Sequence, residues 1–316
     1  TASQTGAALS AIYGSGYGFV AGTTLGGGTR VALDGVSVLH VPPTVAPVVL
    51  DLDRDGQIEY TQQLMDVNLD GQLDQSAWAS SEDGVLVWDK FGTGEVKDLN
   101  QFAFTAFGGE TDLQGLAAGF DSNADGVFDA KDAKFAEFGV WQDADGDGTA
   151  DVGELRSLAD VGIASIDLQS DGVARTPADG VTEAGRTEVM MTDGSSVLAA
   201  DAAFSFQTLA VLDLTGVLKD GVADMADGKA ELLKINLTDL LQLPTTADGQ
   251  HVLQVNGDEV DAVELEGLLD GQPGTWSSTG AVTQNGHTYN VYQHSADPSL
   301  QVLIDQHIAT SNVHSS

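Results

Sequence analysis

Five acidic residues crowd into twelve positions near the middle of this chain: Asp143, Asp145, Asp147, Asp151 and Glu154, with Gly148 among them. Carboxylates packed this closely repel one another, so a compact backbone holds them only when a cation sits between them. The spacing is that of a twelve-residue calcium loop. Asp143, Asp145 and Asp147 approach one cation from one side, and Gly148 makes the sharp turn. Thr149 offers its carbonyl, Asp151 acts through water, and Glu154 closes bidentately.

The same grammar recurs upstream. Asp121, Asn123 and Asp125 are followed by the turn glycine Gly126, Val127 supplies the carbonyl, and the shorter Asp132 takes the closing position. Two further runs carry only the first half of the pattern: Asp51, Asp53, Asp55, Gly56 and Gln57, then Asp66, Asn68, Asp70, Gly71 and Gln72. Gln62 and Ala77 fall where their closing acids belong, so these loops need a ligand from elsewhere. A fifth run, from Asp89 to Gly94, keeps the first acid and the turn glycine and reads as a decayed copy.

With 48 acidic against 12 basic residues and a net charge of −36, the chain is a poor partner for nucleic acid or anionic lipid. Self-repulsion of this size opposes compaction, which makes calcium a folding ligand as well as a regulator. At a site dissociation constant of about 0.1 mM and calcium near 10 mM, each ion adds about 2.7 kcal/mol. The absence of cysteine removes disulfides, thiolate nucleophiles and cysteine metal sites. Loops of modest affinity suit calcium-rich surroundings outside the cell. No apolar run reaches the length of a membrane span, and Thr1 onward lacks the pattern of a signal peptide, so the chain is expected to be a piece of something longer.

The 316 residues suffice for two domains. Residues 1–45 are glycine-rich with short β-type runs. Residues 46–205 hold every acidic loop, with helical patterns over Asp132–Trp141 and Glu154–Val161. Residues 206–316 read as strands around His251–Val255, Val260–Leu265, Thr288–Tyr292 and Leu300–Ile304, separated by Asn256-Gly257, Asp270-Gly271 and Asn285-Gly286 turns. The fold expected is α+β and mostly β: a calcium-loop module with short helices, inserted into a split β-sandwich-like domain made of residues 1–45 and 206–316.

The run from Ala46 to Gly56, the stretch Asp83–Asp89, Phe120–Gly126, Val140–Asp143 and Gly162–Leu168 together resemble the calcium-binding modules of large bacterial RTX proteins. Two groups share that pattern, the self-processing module of iron-regulated RTX proteins and the peptide-binding region of RTX adhesins that hold bacteria to cells and surfaces. Residues 232–308 resemble the β module near the adhesin C-terminus. In the self-processing group, calcium triggers cleavage of an Asp–Pro bond just before the Leu-Asp-Leu-Asp run, with the aspartate side chain attacking its own carbonyl. Here that aspartate is replaced by Ala46, which has no carboxylate, so cleavage before Pro47 is not expected. The one Asp–Pro pair, Asp297-Pro298, reads as a turn.

The resemblance therefore implies a binding module and no enzyme, with several calcium ions, secreted by a type I route to the cell surface as a monomeric part of a longer chain. Its expected partner is a peptide or protein on a target cell or surface, docking through a C-terminal carboxylate near one of the incomplete loops at Asp51 or Asp66. The alternatives are a calcium-stiffened extender without a ligand, an inactivated self-processing module, and a dockerin-like module. Five of the six histidines follow residue 250, yet no His-x-x-x-His pair appears, so zinc is not expected. The glycine clusters near the N-terminus lack the Lys and Ser/Thr of a phosphate loop, and no Gly-x-Ser-x-Gly elbow is present.

Overall fold

The computed structural model describes the backbone of residues 17–18, 30–33, 36–40, 42–219, 221–269, 272–310 and 313–315. It is mostly β with a few short helices, as the patterning predicts. Chain contacts define two units. One holds Thr1–Gln62, Val67–Asp70 and Ser76–Gln207, and the other Gln63–Asp66, Gly71–Gln75 and Thr208–Ser316. Tyr17–Gly18, Arg30–Leu33 and Val36–His40 pair with one another in a small antiparallel sheet. The expectation that residues 1–45 complete the C-terminal domain otherwise lies outside the described residues. No helix among the described residues is long and apolar enough to cross a membrane.

The first unit is organised by an 11-stranded sheet. Its strands are β1 (Val48–Leu50), β2 (Tyr60–Met65), β3 (Asp74–Ala79), β4 (Gly84–Trp88), β5 (Val127–Asp129), β6 (Phe138–Trp141), β7 (Leu155–Ser157), β8 (Ile163–Asp167), β9 (Val181–Met191) and β10 (Ser196–Thr208), with Thr44–Val45 added alongside β10. The main path runs β7-β6-β4-β1-β10-β9-β8-β5, each neighbour antiparallel. Strict alternation along β9 buries Val181, Val189 and Met191 and leaves Thr182, Glu188 and Met190 outside, the period of two that a one-sided sheet requires. On the buried face Phe104, Phe120, Phe128 and Phe138 interlock, with Phe120–Phe138 and Phe128–Phe138 centroids 4.9 and 4.7 Å apart and nearly perpendicular.

Of the two expected helices, one gives way to a strand and the other survives only in its second half. Of Asp132–Trp141, only Phe135–Glu137 makes a single 3-10 turn, and Phe138–Trp141 is β6. All four β6 residues are buried between β4 and β7, which a helix with one apolar stripe does not achieve. A Cβ on Gly139 would lie 2.5 Å from the Arg156 carbonyl oxygen, so the close pairing with β7 needs glycine. Of Glu154–Val161, the first part is β7 and the rest is one helical turn, Leu158–Val161, capped by Ser157 Oγ accepting from Asp160 N–H. The longest helix among the described residues, α1 (Asp112–Phe120), was not read from the sequence. Thr111 and the buried Asp201 cap it, Asp201 accepting from the N–H groups of Asp112 and Leu113.

In the second unit the chain alternates between two sheets. One contains β11 (Ala210–Asp213), β13 (Glu231–Ile235), β15 (Ala262–Leu265) and β19 (Val313–Ser315), all parallel. The other contains β12 (Val222–Asp224), β14 (His251–Asn256), β16 (Trp276–Gln284), β17 (His287–His294) and β18 (Leu300–Asp305). Leu233, Ile235, Val263 and Leu265 from the first share a core with Leu253, Val255, Val302 and Ile304 from the second, a sandwich-like arrangement. The four strands expected here are all present, and two of the three expected turns lie where paired antiparallel strands meet: Leu269 pairs with Gln272 on either side of Asp270-Gly271, and Gln284 with His287 on either side of Asn285-Gly286. Asn285 and Gly286 both have positive φ, 53° and 88°, and join β16 to its neighbour in series as a type I′ hairpin. Asn256-Gly257 makes no hairpin, because β14 pairs in parallel with both β12 and β18. Asp270-Gly271 lies outside the described residues.

Candidate metal-binding loops

All five acidic runs fold into one backbone shape. In each, the carboxylate at position 1 accepts the N–H of the turn glycine at position 6: Asp51 from Gly56, Asp66 from Gly71, Asp89 from Gly94, Asp121 from Gly126 and Asp143 from Gly148, at 2.8–3.1 Å. Each glycine is left-handed, and so is position 4, occupied by Arg54, Leu69, Gly92, Ala124 and Gly146. A left-handed residue other than glycine costs roughly 1–2 kcal/mol, so Arg54, Leu69 and Ala124 mark backbone held by the loop as a whole. The position-5 carboxylates turn inward in the same way, with Asp55, Asp125 and Asp147 accepting from the N–H of Gln57, Val127 and Thr149 at 2.7–3.0 Å. Those turns leave the carbonyls of Gln57, Val127 and Thr149 at the place in the loop that a hard cation uses.

The closing acids separate the loops. Glu154 accepts the N–H of Ala144 through Oε1 and of Asp151 through Oε2, at 2.8 and 3.1 Å, and so bridges positions 2 and 9 of its loop. Asp132 does the same with Ser122 and Asp129, at 2.8 and 3.0 Å. The Asp51 loop has no acid of its own at position 12, but Asp83 fills the place from the turn before β4. It accepts the N–H of Leu52 at 3.3 Å and of Glu59 at 2.7 Å, again positions 2 and 9. Sequence spacing does not point to Asp83, because the signal is the return of a distant chain segment to the loop. In the Asp66 loop, Asn68 accepts the N–H of Asp70, Gln72 is exposed at position 7, Asp74 accepts the Thr208 hydroxyl, and Ala77 at the closing position is buried in β3.

The donor sets suit a hard dication. Carboxylate oxygens of Asp51, Asp53 and Asp55 lie within 4.8 Å of one another, as do those of Asp143, Asp145 and Glu154, and of Asp145, Asp147 and Asp151. Burial, followed by the charge of neighbouring acids, raises the carboxyls of Asp51, Asp83 and Asp147 above the usual range, Asp83 to about 7. Glu59, at position 9 of the Asp51 loop, is raised as well, and its Oε2 is buried without a hydrogen-bond partner. A buried acceptor of this kind beside four aspartates is what a bound cation would satisfy. The Asp89 loop satisfies itself differently. The Gln101 amide takes the closing place by accepting from Lys97 and Asp98 N–H, and Lys90 pairs with Asp98 at 2.6 Å.

Residues 48–205, which contain all five loops, match the SPM domain family. The chain belongs to that family. Among proteins related to this SPM-domain chain is the iron-regulated protein FrpA of Neisseria meningitidis serogroup C, 35% identical over 170 residues. The alignment takes in 49% of this chain and 15% of FrpA, so the chain spans a small part of that relative's length.

Proposed function

We propose that this SPM-domain chain is the calcium-dependent, peptide- or protein-recognising region of a large extracellular RTX adhesin. The observation that carries the reading is a cleft of about 590 Å³ beside the Asp51 loop, lined by Asp51, Arg54, Gly56, Asp171 and Arg186 among others. Calcium held by Asp51, Asp53, Asp55 and Asp83 supplies a hard positive centre at the wall of this cleft. Arg54 and Arg186, which bond Asp193 and Glu183, stand on the same cleft as planar donors for an incoming carboxylate. A free peptide C-terminus, with one negative charge and little bulk, fits a site of that kind.

Ala46 favours binding over self-cleavage. It lies between Thr44–Val45 and β1, beside Pro47, whose carbonyl accepts the Ala202 N–H at 3.0 Å, and alanine offers no nucleophile there. Asp297 sits in a turn, where its carboxylate accepts both the N–H and the hydroxyl of Ser299. The relation to FrpA supports a secreted RTX-type setting. Calorimetry with short peptides tests the reading. A peptide with a free C-terminus should release heat in calcium and none in chelator, and its C-terminal amide should bind far more weakly. Equal heats in calcium and in chelator would refute calcium-dependent recognition and leave a calcium-stiffened extender.

A further inference from the structure

Two histidines that stand far apart in the sequence meet in the second unit. His287 opens β17, and His307 lies just past the end of β18. Between them is Asp305, the last residue of β18, which is 1% exposed. Its two carboxylate oxygens are divided between the imidazoles. Oδ2 lies 2.6 Å from His287 Nδ1, and Oδ1 lies 2.7 Å from His307 Nδ1. The His307 N–H also donates to Oδ1 at 3.1 Å, and the Ile308 N–H to the Asp305 carbonyl at 3.1 Å, so the aspartate is fixed by its own turn. Pairing of Tyr289 with Asp305 across the strands puts His287, two residues before Tyr289, on the same face as the aspartate. The ring of His287 lies against that of Tyr289 with centroids 6.1 Å apart.

We infer that His287, Asp305 and His307 form a binding site for one divalent transition cation of the zinc class. Ligand atoms from all three lie within 4.8 Å of one another. Around a tetrahedral ion with bonds of 2.0–2.2 Å, neighbouring ligand atoms stand roughly 3.4 Å apart. The present N···O separations therefore need to open by well under an ångström. The histidine side chains are 46% and 72% exposed and have room to turn, while the aspartate stays fixed. Two imidazoles and one carboxylate select zinc, copper or nickel over calcium, which takes oxygen ligands. Three protein ligands at the surface leave a coordination position open to water or to a side chain from another molecule. The site owes nothing to the acidic loops and stands or falls apart from the calcium-dependent function.

Cobalt(II) is a coloured stand-in for zinc. Titrated into the whole chain with calcium in excess to occupy the acidic loops, it should give one equivalent of visible absorption typical of a low-symmetry nitrogen and oxygen site, and zinc should displace it. His287→Ala and His307→Ala should each weaken the binding at least about tenfold, while His251→Ala, whose ring bonds the Leu243 carbonyl, leaves it unchanged. His307→Gln is a second, milder test, since the exposed position tolerates substitution and circular dichroism will register any loss of fold. Absence of a stoichiometric cobalt signal in calcium would overturn the assignment. So would equal cobalt affinity in folded His307→Ala and wild-type protein.

Discussion

Asp83 and Glu154 occupy the same place in two different loops. Each bridges the N–H groups at positions 2 and 9, yet Glu154 belongs to the loop it closes and Asp83 comes from another part of the chain. Asp83→Asn should therefore behave like a closing-acid mutation. Calcium stoichiometry, read by native mass spectrometry or calorimetry, should fall by one ion, or that ion should bind at least about tenfold more weakly. A buried N–H left without an acceptor in Asp83→Ala should cost about 1–3 kcal/mol more in urea unfolding. Unchanged calcium binding in both variants would remove Asp83 from the ligand set.

The Asp89 loop makes the opposite case. Its closing place is taken by the neutral Gln101, and Lys90 supplies positive charge. Asp89→Ala should lower stability by about 0.5–1.5 kcal/mol through loss of its bonds to the N–H groups of Thr93 and Gly94, with no change in the number of calcium ions bound. Loss of an ion would show that this copy is still a site.

Position 4 offers a stabilising change. Leu69 holds φ at 57° and is partly exposed, so Leu69→Gly relieves a left-handed strain of about 1 kcal/mol. The greater freedom of glycine in the unfolded chain offsets part of that gain. A rise of a few tenths of a kcal/mol in unfolding free energy is expected. A clear loss would show that the Leu69 side chain contributes packing.

Asp112 gives the fold a pH dependence away from the loops. Burial is the main cause that raises its carboxyl to about 7, with the charge of Asp201 adding to it and the N–H groups of Phe104 and Thr105 opposing it. A folded-state value above the unfolded one favours the protonated native state. The contribution is full below the ordinary value of 3.8 and is lost as pH rises through about 7. Urea unfolding in saturating calcium should show stability declining over that window by up to about 1.4 kcal/mol per pH unit from this group. Asp112→Asn should flatten the slope. A slope identical in the variant would mean that Asp112 stays ionised in the folded protein.

Placing an aspartate at position 46 tests the relation between binding and cleavage. Wild-type protein should stay intact in calcium, because Ala46 cannot attack its own carbonyl. Ala46→Asp should split slowly before Pro47 once calcium is added, seen as two bands of which the larger begins at Pro47. An intact Ala46→Asp chain would mean that more than one residue separates this chain from the self-processing group that its sequence resembles.

The turns of the acidic loops were legible in the sequence because the residues that shape them are local. Carboxylates two residues apart and a glycine at a fixed offset are properties of a dozen residues, and all five runs take the same turn. What was not legible depends on distant pairing. Phe135, Phe138 and Trp141 are spaced as on a helix, yet Phe138–Trp141 is buried on both sides by strands that arrive from residues 84–88 and 155–157. Asp83 and the meeting of His287 with His307 have the same origin, a strand register that no short window contains. The strands of the C-terminal unit were found by their alternation, while their parallel pairing was hidden because β-type patterning says nothing of direction.

Because Asp83 reaches Leu52 across 31 residues, the first loop is fastened by a chain segment that includes a whole β hairpin. The calcium ion proposed for this loop, gripped from both ends of such a segment, would be a rivet between strands and would shorten the length of polypeptide that a pulling force can pay out. Tension applied to the module would then meet a resistance set by the free calcium around it, stiff where the ion is plentiful and yielding where it is scarce.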